Sequence, residues 1–323
     1  MDKKIFITRK IPELATKMLR ENGFSVDVWP KDRAPKKREL IKKLKKGKYD
    51  AVLCLLTDKI DSEVFDASST TKIFANYATG FDNIDILEAK KRNVTITNTP
   101  GVSSVAVAEH TFAMMLALTT RIVEADDFMR RGKYRGWEPM NFIGTDFAGK
   151  NIGIVGVGNI GSKVARMAHN GFGAEILYTD INQNTEIEQK YGAKKCDSLE
   201  TLLHESDIVS LHVPLLDSTH HLINETNLKL MKPTAFLINT SRGPVIDETA
   251  LVKALRNGVI RGAALDVFEF EPKLTSGLDK LSNVILTPHI ASASESVRNE
   301  MARLTAQNII DFLTGKAPEN KVN

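Results

Sequence analysis

The sequence predicts an α/β protein built from two doubly wound, parallel-sheet domains. Three observations predict it. Short apolar runs rich in β-branched residues alternate with helical spacings almost from the first residue, a rhythm that builds parallel sheets covered by helices. The first such series stops at Thr99-Pro100-Gly101, and a second begins at Asn151. The length, 323 residues, suits two domains, and 42% hydrophobic with 26% charged residues is ordinary for a globular chain that buries its core without staples.

Each element follows from a local pattern. Strands are expected at 4–8, 25–29, 51–56, 72–76 and 94–98, where apolar residues cluster between turn residues. A helix over 12–21 places Leu14, Met18 and Leu19 at helical spacing and stops at Asn22-Gly23. A helix opening at Ser103 or Ser104 and running to about Asp126 is apolar on most faces, which predicts burial between domains or subunits. Residues 132–149, which include Trp137 and Pro139, read as irregular. The second sheet is expected from strands at 151–155, 175–179, 207–213, 235–239, 262–267 and 284–287. The tail, 294–315, is amphipathic through Val297, Met301, Leu304, Ile309, Ile310 and Leu313, and it follows the completed second sheet. Its expected place is on the first domain, which is then discontinuous: 1–101 and 293–323 flank a second domain at 102–292.

The net charge of +4 is local. Residues 31–48 hold ten Lys or Arg against Asp32 and Glu39, so the rest of the chain carries −4. No aromatic is interleaved with those cations, as a nucleic-acid surface would require. A solvated helix over 38–46, with Leu40, Ile41 and Leu44 turned inward, is expected instead, and no nucleic-acid partner. Two cysteines, Cys54 and Cys196, lie far apart, so a disulfide framework is not expected and a reducing, cytoplasmic compartment is. No Cys/His cluster has zinc-ligand spacing, and no metal is expected. The N-terminus, Met1 to Arg9, lacks the apolar stretch of a signal peptide. The longest apolar run, 105–120, is interrupted by Glu109 and His110, and it is too short and too polar for a membrane span.

The run Gly156-Val157-Gly158-Asn159-Ile160-Gly161 follows an apolar strand and opens a helix expected over 162–168, ending near Asn170-Gly171. A second strand then ends at Asp180, 19 residues after Gly161. This spacing is that of a dinucleotide site. Gly156 permits a tight turn, Gly158 has no side chain to obstruct a pyrophosphate, and Gly161 lets the helix pack close to the strand. The helix N-terminus offers free N–H groups to the phosphates. Asp180 is placed to accept from the ribose hydroxyls and to repel a 2′-phosphate. With no Arg or Lys at 181–184, NAD is expected over NADP.

Longer motifs surround this loop: Ala78-Thr79-Gly80-Phe81-Asp82-Asn83-Ile84-Asp85, Val107-Ala108-Glu109-His110, Leu237-Ile238-Asn239-Thr240-Ser241-Arg242-Gly243, Ala264-Leu265-Asp266-Val267-Phe268, Glu271-Pro272 and Thr287-Pro288-His289. With them the chain resembles the D-isomer-specific 2-hydroxyacid dehydrogenases over nearly its whole length. The resemblance implies a Rossmann-type cofactor domain inserted in a flavodoxin-like substrate domain, with the reaction in the cleft between them. It assigns catalysis to Arg242, Glu271 and His289. Reduction of a 2-keto acid needs a proton for the carbonyl oxygen, which an imidazolium at His289 can give. Glu271 can hold the other ring nitrogen and keep that imidazolium populated. Arg242 can fork onto the carboxylate and the carbonyl oxygen together. Singly, each could be a turn or loop residue; it is the surrounding motifs that favour the catalytic reading. The resemblance also places Asn159, Ile160, Asp180, Val213, Pro214, Thr219, Thr240, Ser241, Arg242, Asp266 and His289 along the cofactor, Asp266 near the nicotinamide amide. Leu56, Thr79, Gly80, Arg242 and His289 fall to the substrate, with the backbone N–H groups of Thr79 and Gly80 on its carboxylate.

The substrate is less legible. Leu55-Leu56-Thr57-Asp58-Lys59-Ile60-Asp61 and Trp137-Glu138-Pro139 look like the glyoxylate and hydroxypyruvate reductase branch, in which the tryptophan can reach a neighbouring subunit; a homodimer is expected. Trp137 could equally be a packing anchor. The 3-phosphoglycerate dehydrogenases are similar too, including Phe142-Ile143-Gly144-Thr145, but they usually carry a basic residue near 56–57, where this chain has Leu56 and Thr57. No regulatory domain is expected after Asn323. Small acids with uncharged tails (glyoxylate, hydroxypyruvate, pyruvate) therefore rank above phosphoglycerate, with Lys59 keeping the latter open; D-lactate or D-3-phosphoglycerate dehydrogenase activity is the alternative. An NAD-sensing corepressor or scaffold on the same fold is the rival of another class; it would want extended tails, and none are expected here.

Overall fold

The apolar runs of the N-terminal third become five parallel strands: β1 (Lys4–Ile7), β2 (Ser25–Val28), β3 (Ala51–Leu55), β4 (Ile73–Tyr77) and β5 (Thr95–Thr97), in the order β2-β1-β3-β4-β5. β3 and β4 are buried along almost their whole length, as a sheet covered on both faces requires. The crossovers carry α1 (Glu13–Glu21), α2 (Lys37–Gly47), α3 (Ser62–Ala67) and α4 (Ile86–Lys91). In this computed structural model residues 3–323 are described; Met1 and Asp2, where the N-terminal reading begins, lie outside them.

The basic segment is the solvated helix its pattern suggests. Leu40 and Leu44 of α2 are buried, Ile41 is half-buried, and Glu39 caps the helix by accepting the Lys36 N–H at 2.9 Å. Arg33, Lys31 and Lys37 are paired with Glu39, Asp61 and Glu63, so much of the local charge is answered locally.

Two helices follow where one was expected. α5 (Ser104–Thr119) stops, Arg121 takes the left-handed region at φ 58°, and α6 (Ile122–Arg130) begins. The cause is tertiary. The Thr145 N–H donates to the Thr119 carbonyl at 2.8 Å, and a Cβ at Gly144 would sit 2.5 Å from that same oxygen. The returning loop thus engages the helix end and closes it.

The second series gives β6 (Asn151–Val155), α7 (Gly161–Phe172), β7 (Glu175–Thr179), α8 (Thr185–Tyr191), β8 (Lys194–Lys195), α9 (Leu199–Glu205), β9 (Ile208–Leu211), α10 (Glu225–Leu230), β10 (Phe236–Asn239), α11 (Glu248–Arg256), β11 (Gly262–Leu265) and β12 (Val284–Leu286). Its order, β12-β11-β10-β9-β6-β7-β8, reverses direction between β6 and β9. Ligands of such sheets bind outside the carboxyl ends of the strands at that reversal. α7 runs past Asn170-Gly171, where its end was expected, because Gly173 and not Gly171 takes the left-handed cap at φ 61°. The two-residue edge strand β8 was not anticipated.

The last helix, α12 (Glu295–Leu313), packs against α1 and β4, so the tail belongs with the first sheet. One compact unit therefore runs to Ser103 and resumes at Ala293–Asn323; the other is Ser104–Ser292. Among the described residues no helix is long and apolar enough to cross a membrane.

Candidate active site

The glycine loop lies at the sheet reversal of the second unit, and its three glycines have different reasons. A Cβ at Gly156 (φ 91°) would come 2.8 Å from the His212 carbonyl oxygen, and one at Gly161 would come 2.1 Å from the Gly156 carbonyl oxygen. Those two are dictated by packing. A Cβ at Gly158 would meet no heavy atom within 4 Å, so nothing in the chain demands glycine there. A ligand passing close over the backbone would demand it. Ile160, at the N-cap of α7, supplies no side-chain cap, and among the described residues no hydrogen bond engages the N–H of Asn159 or Ile160. These donors fit the phosphates of a dinucleotide. Asp180 follows β7 directly; its carboxylate accepts the Val157 N–H at 2.8 Å and the Asn182 N–H at 3.0 Å. Asn184, overlooked in the sequence, donates to the Val157 carbonyl at 3.0 Å and to the Ser162 hydroxyl at 3.1 Å, pinning the loop from the far side. Its place as the N-cap of α8 was the available signal.

Around the same edge, Val213 and Pro214 follow β9. The Thr219 hydroxyl closes their turn, donating to the Pro214 carbonyl at 2.6 Å and accepting the Leu216 N–H at 2.8 Å. After β10, buried Asn239 accepts from the Ser241 N–H (3.0 Å) and hydroxyl (2.8 Å) and donates to the Arg242 carbonyl (2.9 Å). The Thr240 hydroxyl pairs with that of Thr111 at 2.8 Å. The turn that presents Arg242 is thus fixed by a single amide side chain. Gly243 is obligatory: a Cβ there would lie 1.9 Å from the Phe268 carbonyl carbon, so the chain passes directly against the segment bearing Glu271.

Glu271 and His289 meet at 3.1 Å, Oε2 to Nδ1, each side chain about a third exposed. The other Glu271 oxygen accepts the Phe268 N–H at 3.0 Å. Burial works to raise the Glu271 carboxyl, but the His289 hydrogen bond and charge, the Phe268 N–H and the positive field of Arg242 together hold it below the usual carboxylate range. An ionised Glu271 favours a proton on Nδ1 and leaves Nε2 available. His289 takes the left-handed region, φ 52°, and its N–H donates to the carbonyls of Asp266 (2.8 Å) and Thr287 (3.0 Å), which hold it there.

Asp266, expected near the nicotinamide amide, is fully buried. One oxygen accepts from the Thr287 hydroxyl (2.6 Å) and the Ile290 N–H (2.8 Å), the other from the Ala291 N–H (2.8 Å), and His110 lies 3.5 Å away. The observed work of this carboxylate is to hold the segment that bears His289. His110, from the Val107–His110 motif, also reaches the Thr287 hydroxyl at 3.1 Å. A second brace escaped the sequence reading. Buried Glu248 accepts from the Glu269 N–H (2.8 Å) and the Thr275 hydroxyl (2.5 Å), while Glu269 meets His221 at 2.8 Å. It holds the 269–275 stretch on both sides of Glu271.

In the first unit, Leu56 is exposed on the turn after β3, and Thr79 and Gly80 lie on the turn after β4. Among the described residues no hydrogen bond engages the N–H of Thr79 or Gly80, whereas the Thr79 hydroxyl is tied to the Thr99 carbonyl at 3.1 Å. Trp137 is 82% exposed, which removes the packing-anchor reading within its own chain.

A glycine-cradled helix N-terminus at a sheet reversal, with a His–Glu pair and an arginine along the same strand ends, defines a dinucleotide-dependent oxidoreductase. A family model described as "D-isomer specific 2-hydroxyacid dehydrogenase, NAD binding domain" matches residues 112–291. The chain is 49% identical to a glyoxylate reductase of Thermococcus litoralis, over 100% of this chain and 97% of that one, and 48% identical to a glyoxylate reductase of Korarchaeum cryptofilum, over 100% and 96%. The solved structure of the TT0316 protein from Thermus thermophilus is similar with a TM-score of 0.92 at 38% identity, covering 99% of this chain and all of that one. The chain belongs to the D-isomer specific 2-hydroxyacid dehydrogenases and is an NAD-binding oxidoreductase of that type.

Proposed function

We propose that the protein reduces glyoxylate to glycolate with NADH and accepts hydroxypyruvate, giving D-glycerate. The observation that carries the chemistry is the Glu271–His289 pair, 3.1 Å apart, in the field of Arg242. Reduced nicotinamide, when bound, supplies the hydride. His289 gives its Nε2 proton to the carbonyl oxygen as the C–O π bond breaks, and Glu271 steadies the imidazolium until then. Arg242 can hold a carboxylate and polarise a carbonyl, and the N–H groups of Thr79 and Gly80 offer a seat for a carboxylate oxygen. Asp180, with Ile181-Asn182-Gln183-Asn184 after it, favours NADH over NADPH. Glyoxylate rests on the uncharged Leu55-Leu56-Thr57 turn and on the two relatives that bear that activity in their names.

We assign the exposed apolar side chains of α6 and the loop after it (Ile122, Val123, Met129, Trp137, Met140) to contact with a second copy of the chain, the homodimer that the resemblance implies. Free, buried Cys54 and Cys196 fit a reducing compartment, and we place the enzyme in the cytoplasm on that ground. The test is a panel of 2-keto acids assayed with NADH and NADPH in parallel. Glyoxylate with NADH should give the highest kcat/KM. Turnover confined to phosphohydroxypyruvate would overturn the substrate, and tight NADH binding without any turnover would return the scaffold reading.

A further inference from the structure

The motif 78–85 contains a residue to which the reaction gives no role, Asn83. Its side chain is half-buried beneath two exposed turns. The Asn83 amide nitrogen donates to the carbonyls of Leu55 (3.1 Å) and Asp58 (3.0 Å), the two ends of the turn after β3. Its amide oxygen accepts from Asn76 Nδ2 at 3.1 Å, and the same nitrogen of Asn76 donates to the Gly80 carbonyl at 3.0 Å. Asn76 is fully buried at the end of β4. A continuous ladder of two neutral amides therefore joins the Leu55–Asp58 turn to the Thr79–Gly80 turn. The backbone adds to it, since the Ile60 N–H donates to the Asn83 carbonyl at 2.9 Å. A groove of about 450 Å³, lined by Leu56, Thr57, Lys59, Asn83 and the acids Asp61, Asp82 and Asp85, opens beside the Leu55–Asp58 end of the ladder.

On the reading proposed above, on which this inference rests, one turn holds the carboxylate and the other faces the substrate tail. We propose that Asn83, backed by Asn76, is a specificity-determining positioning residue: it fixes the separation of carboxylate seat and tail-facing turn, and so the length of 2-keto acid accepted. It touches no substrate itself. An amide suits the task, because it gives to one turn and accepts from the Asn76 amide that holds the other, without introducing a charge beside an anionic substrate. The ladder also moves the two turns as one body, so a displacement at one is felt at the other.

The test uses the full chain and two variants. Asn83→Ala removes the whole ladder. Asn83→Asp keeps the oxygen that Asn76 uses and loses both donations to the Leu55–Asp58 turn, and it carries the test if the alanine variant does not fold. With NADH saturating, KM for glyoxylate should rise about tenfold, the loss of about one hydrogen bond's positioning, while kcat changes little. The ratio of kcat/KM for hydroxypyruvate to that for glyoxylate should shift about threefold or more, and the Kd for NADH should stay within about twofold. Folded variants with that ratio and the glyoxylate KM unchanged would overturn the inference. So would a uniform loss of both activities together with thermal stability, which is what a merely structural role gives. If the parent protein reduces no 2-keto acid, the functional reading itself has failed and this inference falls with it; an active parent with unmoved variants overturns this inference alone.

Discussion

Asp58 and Asp266 occupy matching places, one in each unit, each buried within three residues of the end of a parallel strand, yet their surroundings treat them oppositely. Burial raises both. At Asp266 the His110 and Thr287 side chains and the Ile290 and Ala291 N–H groups outweigh it, and the carboxyl lies below its usual range. At Asp58 burial wins over the Thr8 hydroxyl, the Leu55 N–H and Arg9, and the carboxyl lies above it. The difference is donor count. Both oxygens of Asp266 are satisfied, whereas Asp58 has its two partners on one oxygen and none, among the described residues, on the other. The lesson concerns what each unit must hold. On the function proposed above the second unit positions a group that carries a proton, and it does so with carboxylates held low, Asp266 and Glu271. The first positions backbone N–H groups, and neutral amides at Asn76 and Asn83 suffice.

The largest effect that comparison predicts is chemical. His289→Ala should lower kcat by about 10²–10⁴-fold, the range of a lost general acid, and leave NADH affinity nearly unchanged. Asn83→Ala should leave kcat almost untouched. Steady-state kinetics with an NADH binding titration separates them, and full turnover by His289→Ala would remove the proton-carrying role from the second unit.

Next in size is Asp266→Asn. An amide cannot accept from the Ile290 and Ala291 N–H groups and the Thr287 hydroxyl together, so stability near pH 7 should fall by about 2–3 kcal/mol. A carboxyl whose folded pKa is depressed stabilises the fold above its unfolded value, and that contribution disappears as pH falls through the folded value. The gap between parent and variant should therefore narrow in acid, below about pH 4. Urea unfolding from pH 3 to 8 measures it, and a gap independent of pH would show that shape and not charge holds the His289 segment.

Glu271→Gln comes third. Its carboxyl lies below the usual range, so it is ionised at neutral pH. On the mechanism proposed above His289 passes through an imidazolium, and a glutamine can accept from Nδ1 but brings no charge to steady that cation. kcat/KM for glyoxylate should fall about tenfold while the Kd for NADH changes little. An unchanged kcat/KM would reduce Glu271 to a holder of the Phe268 N–H.

The two halves of the comparison were not equally legible. The strand, glycine loop and second strand of the dinucleotide site read straight from residues 151–180, because each glycine and Asp180 answers a local demand of the ligand or the turn. Arg242, Glu271 and His289 needed the surrounding motifs, since a His after a Pro or an Arg before a Gly is an ordinary loop residue. What holds them was hidden. Asn239 and Asn76 bond to residues only a few positions on, but an asparagine by itself does not say which turn group it will hold; the partners of Asn83, Leu55 and Asp58, lie on another turn that only the folded sheet brings near. The break at Arg121 was hidden for the same reason: no glycine or proline marks it, and the contact that closes α5 comes from Gly144 and Thr145, more than twenty residues away.

The smallest effect is the one that probes the first unit most directly. A carboxyl whose folded pKa is raised favours the fold below its unfolded value, and that advantage is lost as pH rises through the folded value. Near neutrality an ionised Asp58 therefore costs stability. Asp58→Asn removes the charge and keeps an oxygen for the Leu55 N–H and the Thr8 hydroxyl. It should be neutral or stabilising by up to about 1 kcal/mol at pH 7, opposite in sign to Asp266→Asn. In acid its advantage should shrink, because the parent carboxyl is then neutral too. Urea midpoints for both asparagine variants over the same pH series decide the matter. Equal losses at pH 7 would mean that Asp58 also holds its turn through its charge, and that both units are braced alike.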